Sequence, residues 1–245
     1  MHLVTSTAGS GPTHVAFVHG LGGDGSTWAP LLDLMLGTGR FTTTTLDLRG
    51  HGDSPRADSY TLDELADDVV ENIPAGLDAV VGHSLGGSVL LRAVARLAPA
   101  RAVYLDPGFR LSLPTSGIAG RLFWAAPTLT LGAAQLLQAR SSAKARAAYP
   151  PEVRAAVDRA HEHFDKSMAV GVFRDVAHHP ITDLTPAVPS TVVLSDDSAA
   201  VLPDALAADL ERHGWDVRRI AGVHHDMQVE DPARTFEVFD KTLRP

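Results

Sequence analysis

Short apolar runs recur along this chain, and longer helix-like segments separate most of them. They lie at residues 15–18, 79–81, 102–105 and 191–194, and two further strand-like stretches, TTTL at 43–46 and VRRI at 217–220, continue the series. Runs of this length are typical of buried strands, whereas residues 62–73 and 88–97 have the spacing of helices. Their alternation predicts an α/β fold with a mostly parallel central sheet and helices on both faces. Ligands bind such sheets beyond the carboxyl ends of the strands, so chemistry is expected in the loops that follow them.

The alternation is interrupted once, between residues 105 and 191. This stretch has helical periodicity and includes an alanine- and arginine-rich segment that is broken by Pro150 and Pro151. We predict that residues 108–186 form a helical cap over the strand ends, and that residues 1–107 and 187–245 form the core domain. Ordinary crossover helices are the alternative interpretation.

Composition excludes several classes of function. The chain has 245 residues and no cysteine, so disulfides, thiolate metal sites and cysteine nucleophiles are excluded. The net charge of −8 argues weakly against binding to nucleic acid or to anionic membranes. No signal peptide and no apolar run of about 18 residues is present. We expect a cytoplasmic protein of unspecified oligomeric state that acts on a small-molecule substrate without a metal or organic cofactor.

The stretch VVGHSLGGSV, residues 80–89, places a serine at the corner between a predicted strand and a predicted helix. Ser84 is surrounded by Gly82, Gly86 and Gly87. A turn this sharp strains the backbone of its central residue, so the neighbouring residues must lack side chains. The strain also points the serine oxygen outward, which predicts a nucleophile elbow of the G-x-S-x-G type.

Two further loops that follow strands contain groups able to assist a serine. In HGLGGDGSTW, residues 19–28, glycines leave backbone N–H groups unshielded, so the Leu21 amide and the Leu85 amide are candidates for an oxyanion hole. In AGVHHDMQVEDP, residues 221–232, His224 and His225 are both candidates for the general base. The loop DLRGHGDSP, residues 47–55, is interpreted as structural.

Together, the motifs HGLGG, DLRGHGDS, GHSLGG and HHDMQVEDP resemble the α/β-hydrolase family in content and in order. The resemblance extends over the chain outside the predicted cap. It implies that Ser84 is the nucleophile, and that His225 is the base because it precedes Glu230 by five residues. It also implies that Leu21 and Leu85 form the oxyanion hole and that the insertion is the family's variable cap.

The sequence leaves the acid of the triad open. The commoner family position follows the strand at residues 191–194, where LSDDSAAVLP puts Asp197 one residue and Asp196 two residues short of the expected place. The less common position follows the preceding strand, where Asp106 stands at a suitable spacing from Ser84. We slightly favour Asp106 and keep Asp197 as the alternative.

The function expected from these residues is hydrolysis of a carboxylic ester or lactone of a medium-sized hydrophobic molecule through an acyl-enzyme. Trp28, Phe109 and Trp124 are candidates for substrate contact. Related members of the family cleave carbon–carbon bonds or thioesters with the same triad, and some act as small-molecule receptors, so these remain alternatives. A serine at position 84, rather than an aspartate, argues against a dehalogenase or an epoxide hydrolase.

Overall fold

The computed structural model of the chain describes residues 1–111, 113–127, 129–130 and 146–243. These residues contain one seven-stranded sheet in the order β1-β3-β2-β4-β5-β6-β7. The strands are β1 (Thr5–Gly9), β2 (Thr13–Val18), β3 (Phe41–Leu46), β4 (Ala79–His83), β5 (Arg101–Leu105), β6 (Ser190–Leu194) and β7 (Asp216–Arg219). All neighbouring pairs are parallel except β1 with β3. The predicted mostly parallel α/β fold is confirmed.

Helices cover the sheet and connect its strands. They are α1 (Ala29–Gly37), α2 (Leu62–Asn72), α3 (Leu85–Leu97), α4 (Gly117–Ala125), α5 (Pro151–His163), α6 (Met168–His178), α7 (Asp204–Arg212), α8 (Met227–Glu230) and α9 (Pro232–Leu243). Short 3-10 turns occupy Gly25–Trp28 and Ser198–Ala200. None of the helices in the described ranges is long and apolar enough to cross a membrane.

The sheet separates two apolar layers. In β2, Ala16 and Val18 pack into one layer with α2 and α3, while Val15 and Phe17 pack into the other with α1 and α9. Side chains alternate between the two faces of a strand, so a strand buried on both faces must be apolar at nearly every position. This is why the apolar runs in the sequence locate the strands.

Between β5 and β6 the described residues form helices and no strand. Helix α5 packs against the 3-10 turn at Gly25–Trp28, and α6 packs against α2. Asp165, between α5 and α6, anchors this region because its amide donates to Gly50 O at 2.6 Å and its carboxylate accepts from Tyr60 Oη at 2.8 Å. Residues 112, 128 and 131–145 of the predicted cap lie outside the described residues.

Candidate active site

The site lies where the strand order reverses, at the carboxyl ends of the adjacent strands β2 and β4. The loop after β2 and the corner after β4 are in direct contact there. A Cβ added to Gly20 would lie 3.2 Å from Ser84 Cβ and 2.8 Å from His83 Nδ1. A glycine at position 20 therefore allows the loop after β2 to approach the serine.

Ser84 has the strained backbone that a sharp strand-to-helix corner requires. Its φ is 51° and its ψ is −113°, a conformation that a residue with a side chain rarely adopts. The backbone is held on both sides: Ser84 N donates to Leu105 O at 2.9 Å, and Ser84 O accepts from the amides of Gly87 and Gly108, each at 3.1 Å. The serine side chain remains partly exposed.

His225 and Asp106 meet beside this corner. His225 Nδ1 lies 3.2 Å from Asp106 Oδ2. Asp106 is fully buried, and Ser195 also contacts it, with Ser195 N donating to Oδ1 at 2.8 Å and Ser195 Oγ donating to Oδ2. A carboxylate only accepts hydrogen bonds, so the proton of neutral His225 is on Nδ1 and Nε2 is left as the acceptor. This is the tautomer that a general base needs.

Two opposing effects act on the pKa of His225. Burial lowers it, whereas the hydrogen bond with Asp106 and the negative charges of Asp226, Asp106 and Asp197 raise it. The net direction is above the ordinary value of 6.5. The imidazolium form of His225 is therefore stabilised by its surroundings.

The other candidates for acid and base have different partners. His224 is exposed, and its Nδ1 lies 2.8 Å from Glu230 Oε1. Asp196 is exposed and accepts from Gly222 N at 2.8 Å. Asp197 is also exposed, and its backbone amide donates to Ser195 Oγ at 3.1 Å. Within the described residues, the structure thus places Asp106, and neither Asp196 nor Asp197, in hydrogen-bond contact with His225.

The two amides expected to form the oxyanion hole belong to Leu85, which follows Ser84, and to Leu21, which follows the Gly20 that approaches Ser84. Leu85 is the first residue of α3, and the first N–H groups of a helix have no intrahelical acceptor. The Gly20–Leu21 peptide is oriented by His19, whose Nδ1 lies 2.8 Å from Gly20 O and whose Nε2 accepts from Leu48 N at 3.0 Å. In a trans peptide the carbonyl and the N–H point in opposite directions, so this contact fixes the direction of the Leu21 N–H.

The loop of residues 47–55 is hydrogen-bonded to the loop after β2. Asp47 Oδ1 accepts from Gly25 N at 2.8 Å, and His51 Nε2 accepts from Gly22 N at 3.0 Å. Arg49 forms a buried ion pair with Asp68, with 2.5 Å between Nε and Oδ2. These contacts give the loop the structural role that the sequence favours.

Buried neutral histidines make the stability of this region sensitive to acid. Burial lowers the pKa of His19, His51 and His83, and the nearby His19 lowers that of His51 further. Their folded-state pKa values lie below the unfolded value of 6.5. The stability that depends on their neutral form is thus complete above pH 6.5 and is lost as the pH falls towards the folded values. Each such group lowers the free energy of unfolding by about 1.4 kcal/mol per pH unit in that window.

We therefore expect His51→Gln, which keeps an acceptor for Gly22 N, to weaken the pH dependence of the free energy of unfolding below pH 6.5, because it removes a group that binds a proton more readily in the unfolded chain. Urea unfolding at several pH values measures this. His213→Gln, the same substitution at an exposed position, is the control variant. An unchanged slope in His51→Gln would show that His51 is protonated equally in the folded and unfolded chains.

The aromatic residues expected to contact substrate lie at different depths. Trp28 is fully buried against Phe17 and His83, so it lies beneath the site and has no surface for a ligand. Phe109 is also buried; it lines a cavity of about 560 Å³ whose lining includes Ser88 and Gly108 but neither Ser84 nor His225. Trp124 is partly exposed.

Comparisons with known proteins agree with this architecture. The model of the alpha/beta hydrolase family matches residues 15–238. A pimeloyl-[acyl-carrier protein] methyl ester esterase of Methylococcus capsulatus is 40% identical over 99 residues, which are 40% of this chain and 37% of that protein. The match therefore spans little more than a third of that relative's length.

Two solved structures share the whole fold. An N-acyl homoserine lactone degrading enzyme superimposes with a TM-score of 0.74 at 24% identity, covering 98% of this chain and 96% of the other. The enol-lactonase from Burkholderia xenovorans LB400 superimposes with a TM-score of 0.74 at 22% identity, again covering 98% and 96%. At these identities the likeness establishes the fold alone.

Proposed function

The chain belongs to the α/β hydrolase family, and on that premise we propose that it is a serine hydrolase that cleaves a carboxylic ester or lactone of a medium-sized hydrophobic molecule. The observation that carries the proposal is the strained Ser84 at the corner between β4 and α3. That conformation is costly, by roughly 1–3 kcal/mol, and such strain is concentrated at functional sites. The esterase and lactonase names of the similar proteins agree with the proposed bond type.

In the proposed mechanism, Ser84 Oγ attacks the carbonyl carbon of the substrate while His225 Nε2 takes the hydroxyl proton. The tetrahedral oxyanion accepts hydrogen bonds from the Leu21 and Leu85 amides. Asp106 holds the Nδ1 proton of His225 and stabilises the imidazolium, which matches the raised pKa of His225. His225 then protonates the departing alcohol oxygen, leaving an acyl group on Ser84.

Water completes the cycle by the reverse route. His225 Nε2 removes a proton from a water molecule, whose oxygen attacks the acyl carbon and forms a second oxyanion at the same two amides. Collapse of this intermediate releases the carboxylic acid, and the proton returns from His225 to Ser84 Oγ. Chain groups alone supply the base, the acid and the oxyanion donors in this proposal.

We further propose that residues 108–186 form the cap that selects the substrate. Phe164 stacks on His51 with 5.7 Å between ring centroids, and α5 packs against the turn beside the oxyanion loop. A cap held this close favours a compact, mostly apolar substrate over a polymer. Trp124 is the aromatic residue that we retain as a substrate contact.

Labelling with a fluorophosphonate followed by intact-mass analysis tests the proposal. We expect one rapid adduct that maps to Ser84, is absent from Ser84→Ala and persists in Ser88→Ala, a serine one turn further along α3. Turnover of an aryl ester should disappear with Ser84→Ala as well. A folded chain that forms no adduct would contradict the hydrolase proposal and favour a small-molecule receptor. An adduct without ester turnover would point to a carbon–carbon bond or thioester substrate.

A further inference from the structure

One buried histidine of the site has no role in the mechanism above. His83 is the last residue of β4 and directly precedes Ser84. Its Nε2 lies 2.9 Å from the backbone oxygen of His225. A carbonyl oxygen only accepts, so the Nε2 atom of His83 carries a hydrogen and donates it.

The other ring nitrogen of His83 is also partnered. Gln228 Nε2 lies 3.3 Å from His83 Nδ1, which accepts because the proton is on Nε2. Gln228 is buried on α8, and its Oε1 atom has no hydrogen-bond partner among the described residues. The Gln228 amide is therefore oriented by His83, and in that orientation it maintains the tautomer that donates to His225.

We propose that His83 is a positioning residue that couples the nucleophile to the base. It is bonded covalently to Ser84 and through its ring to the backbone of His225, so it sets the distance between these two residues. The inference rests on the proposed function, because it assumes that Ser84 and His225 react together. With Asp106 holding the ring and His83 holding the carbonyl, His225 is fixed at two points.

The charge state of His83 suits this role. The groups that face it are Trp28 and Gln228, the His225 ring at 4.8 Å between centroids, Asp226 at 4.0 Å from Nε2, and the Asp106 carboxylate. Burial, with a smaller contribution from His225, lowers the pKa of His83 to about 4. His83 thus stays neutral when His225 becomes an imidazolium, and no second positive charge opposes the proton transfer.

Two amide substitutions separate positioning from simple packing. The Nε2 atom of glutamine is as many bonds from Cβ as the Nε2 atom of histidine, so His83→Gln keeps a donor within reach of His225 O. The shorter His83→Asn cannot reach it. We expect His83→Asn to lower kcat for an aryl ester by about 10²-fold with little change in KM, as a misplacement of about 1 Å does. His83→Gln should restore most of that loss.

The pH dependence of kcat/KM distinguishes positioning from packing, because a loss of packing alone would not shift the pKa of His225. In His83→Asn the loosened His225 should contact Asp106 less well, so the acid limb of kcat/KM should shift to lower pH, whereas His83→Gln should keep the wild-type limb. Equal losses in both variants, or no loss in either, would overturn the inference. Thermal unfolding of both variants identifies a loss that comes only from instability. If the wild-type protein forms no fluorophosphonate adduct, the proposed function itself is contradicted. If the wild-type protein reacts and His83→Asn and His83→Gln behave alike, only the proposed role of His83 is contradicted.

Discussion

Replacing Asp106 by asparagine is expected to lower kcat for ester hydrolysis by about 10⁴-fold, the size of effect that follows when a triad histidine is held in the wrong tautomer. The three donors around the carboxylate explain why. His225 Nδ1, Ser195 N and Ser195 Oγ all donate to Asp106. An asparagine amide presents one oxygen and one NH₂ group, so its NH₂ must face at least one of these donors.

Asp197→Asn is the matched control for this substitution. The Asp197 carboxylate is exposed, and its contact with Ser195 is made by the backbone amide, which the substitution leaves intact. We expect kcat to change by no more than about twofold, because only a screened surface charge is lost. Steady-state kinetics with an aryl ester, together with fluorophosphonate labelling rates, measures both variants. A larger loss in Asp197→Asn than in Asp106→Asn would move the acid to the position after β6.

The central strands could be predicted because a strand that is buried on both faces is apolar at nearly every position. Strands β2 to β6 each contain the stretch predicted for them and extend one or two residues beyond it. Strand β7 begins at Asp216 and ends at Arg219, one residue earlier at each end than the predicted stretch. The edge strand β1 was not predicted, since its residues Thr5–Gly9 are all exposed and carry no apolar pattern. In the folded chain, its antiparallel pairing with β3 identifies it as a strand.

Candidate site residues could be predicted where adjacent residues in the sequence mark them, and less well where the partner comes from a distant segment of the chain. Ser84 stands out because of its glycines, whereas the partner of His225 depends on which carboxylate the fold brings to the loop after β7. The sequence pattern assigns Ser195 no role, but in the structure its side chain donates to Asp106. Nothing in the sequence marks His83 as a partner of His225, because the group that it contacts is a backbone carbonyl, which every residue type provides.

Trp28 shows the opposite error. An aromatic residue beside a glycine-rich loop suggested a substrate contact, but the 3-10 turn at Gly25–Trp28 directs the indole inward, onto Phe17. Side-chain direction in a short turn depends on backbone angles that composition does not indicate. The pattern located the loop, but the burial of Trp28 leaves its indole no surface for a ligand.

The glycines of the corner lead to the second large expected effect. Gly86 lies in the first turn of α3, directly against the end of β2. An ideal Cβ at this position would lie 2.1 Å from Val18 O and 2.6 Å from His19 O. Both contacts are with backbone atoms of a central strand and its loop, so no flexible side chain can move aside. Even alanine must therefore push α3 away from β2.

We expect Gly86→Ala to lower the free energy of unfolding by about 3 kcal/mol or more, at or beyond the upper end of overpacking effects. It should also greatly slow fluorophosphonate labelling, since Ser84 and the Leu85 amide move with α3 while the Leu21 amide stays with β2. Gly37→Ala is the matched control: Gly37 is also helical, nothing lies within 4 Å of its added Cβ, and the change should stabilise the chain by about 0.5–1 kcal/mol. Urea unfolding and labelling rates on both variants test this. If Gly86→Ala keeps the wild-type midpoint and labelling rate, α3 does not pack against β2 this closely, and the physical basis for Ser84 as a nucleophile elbow is lost.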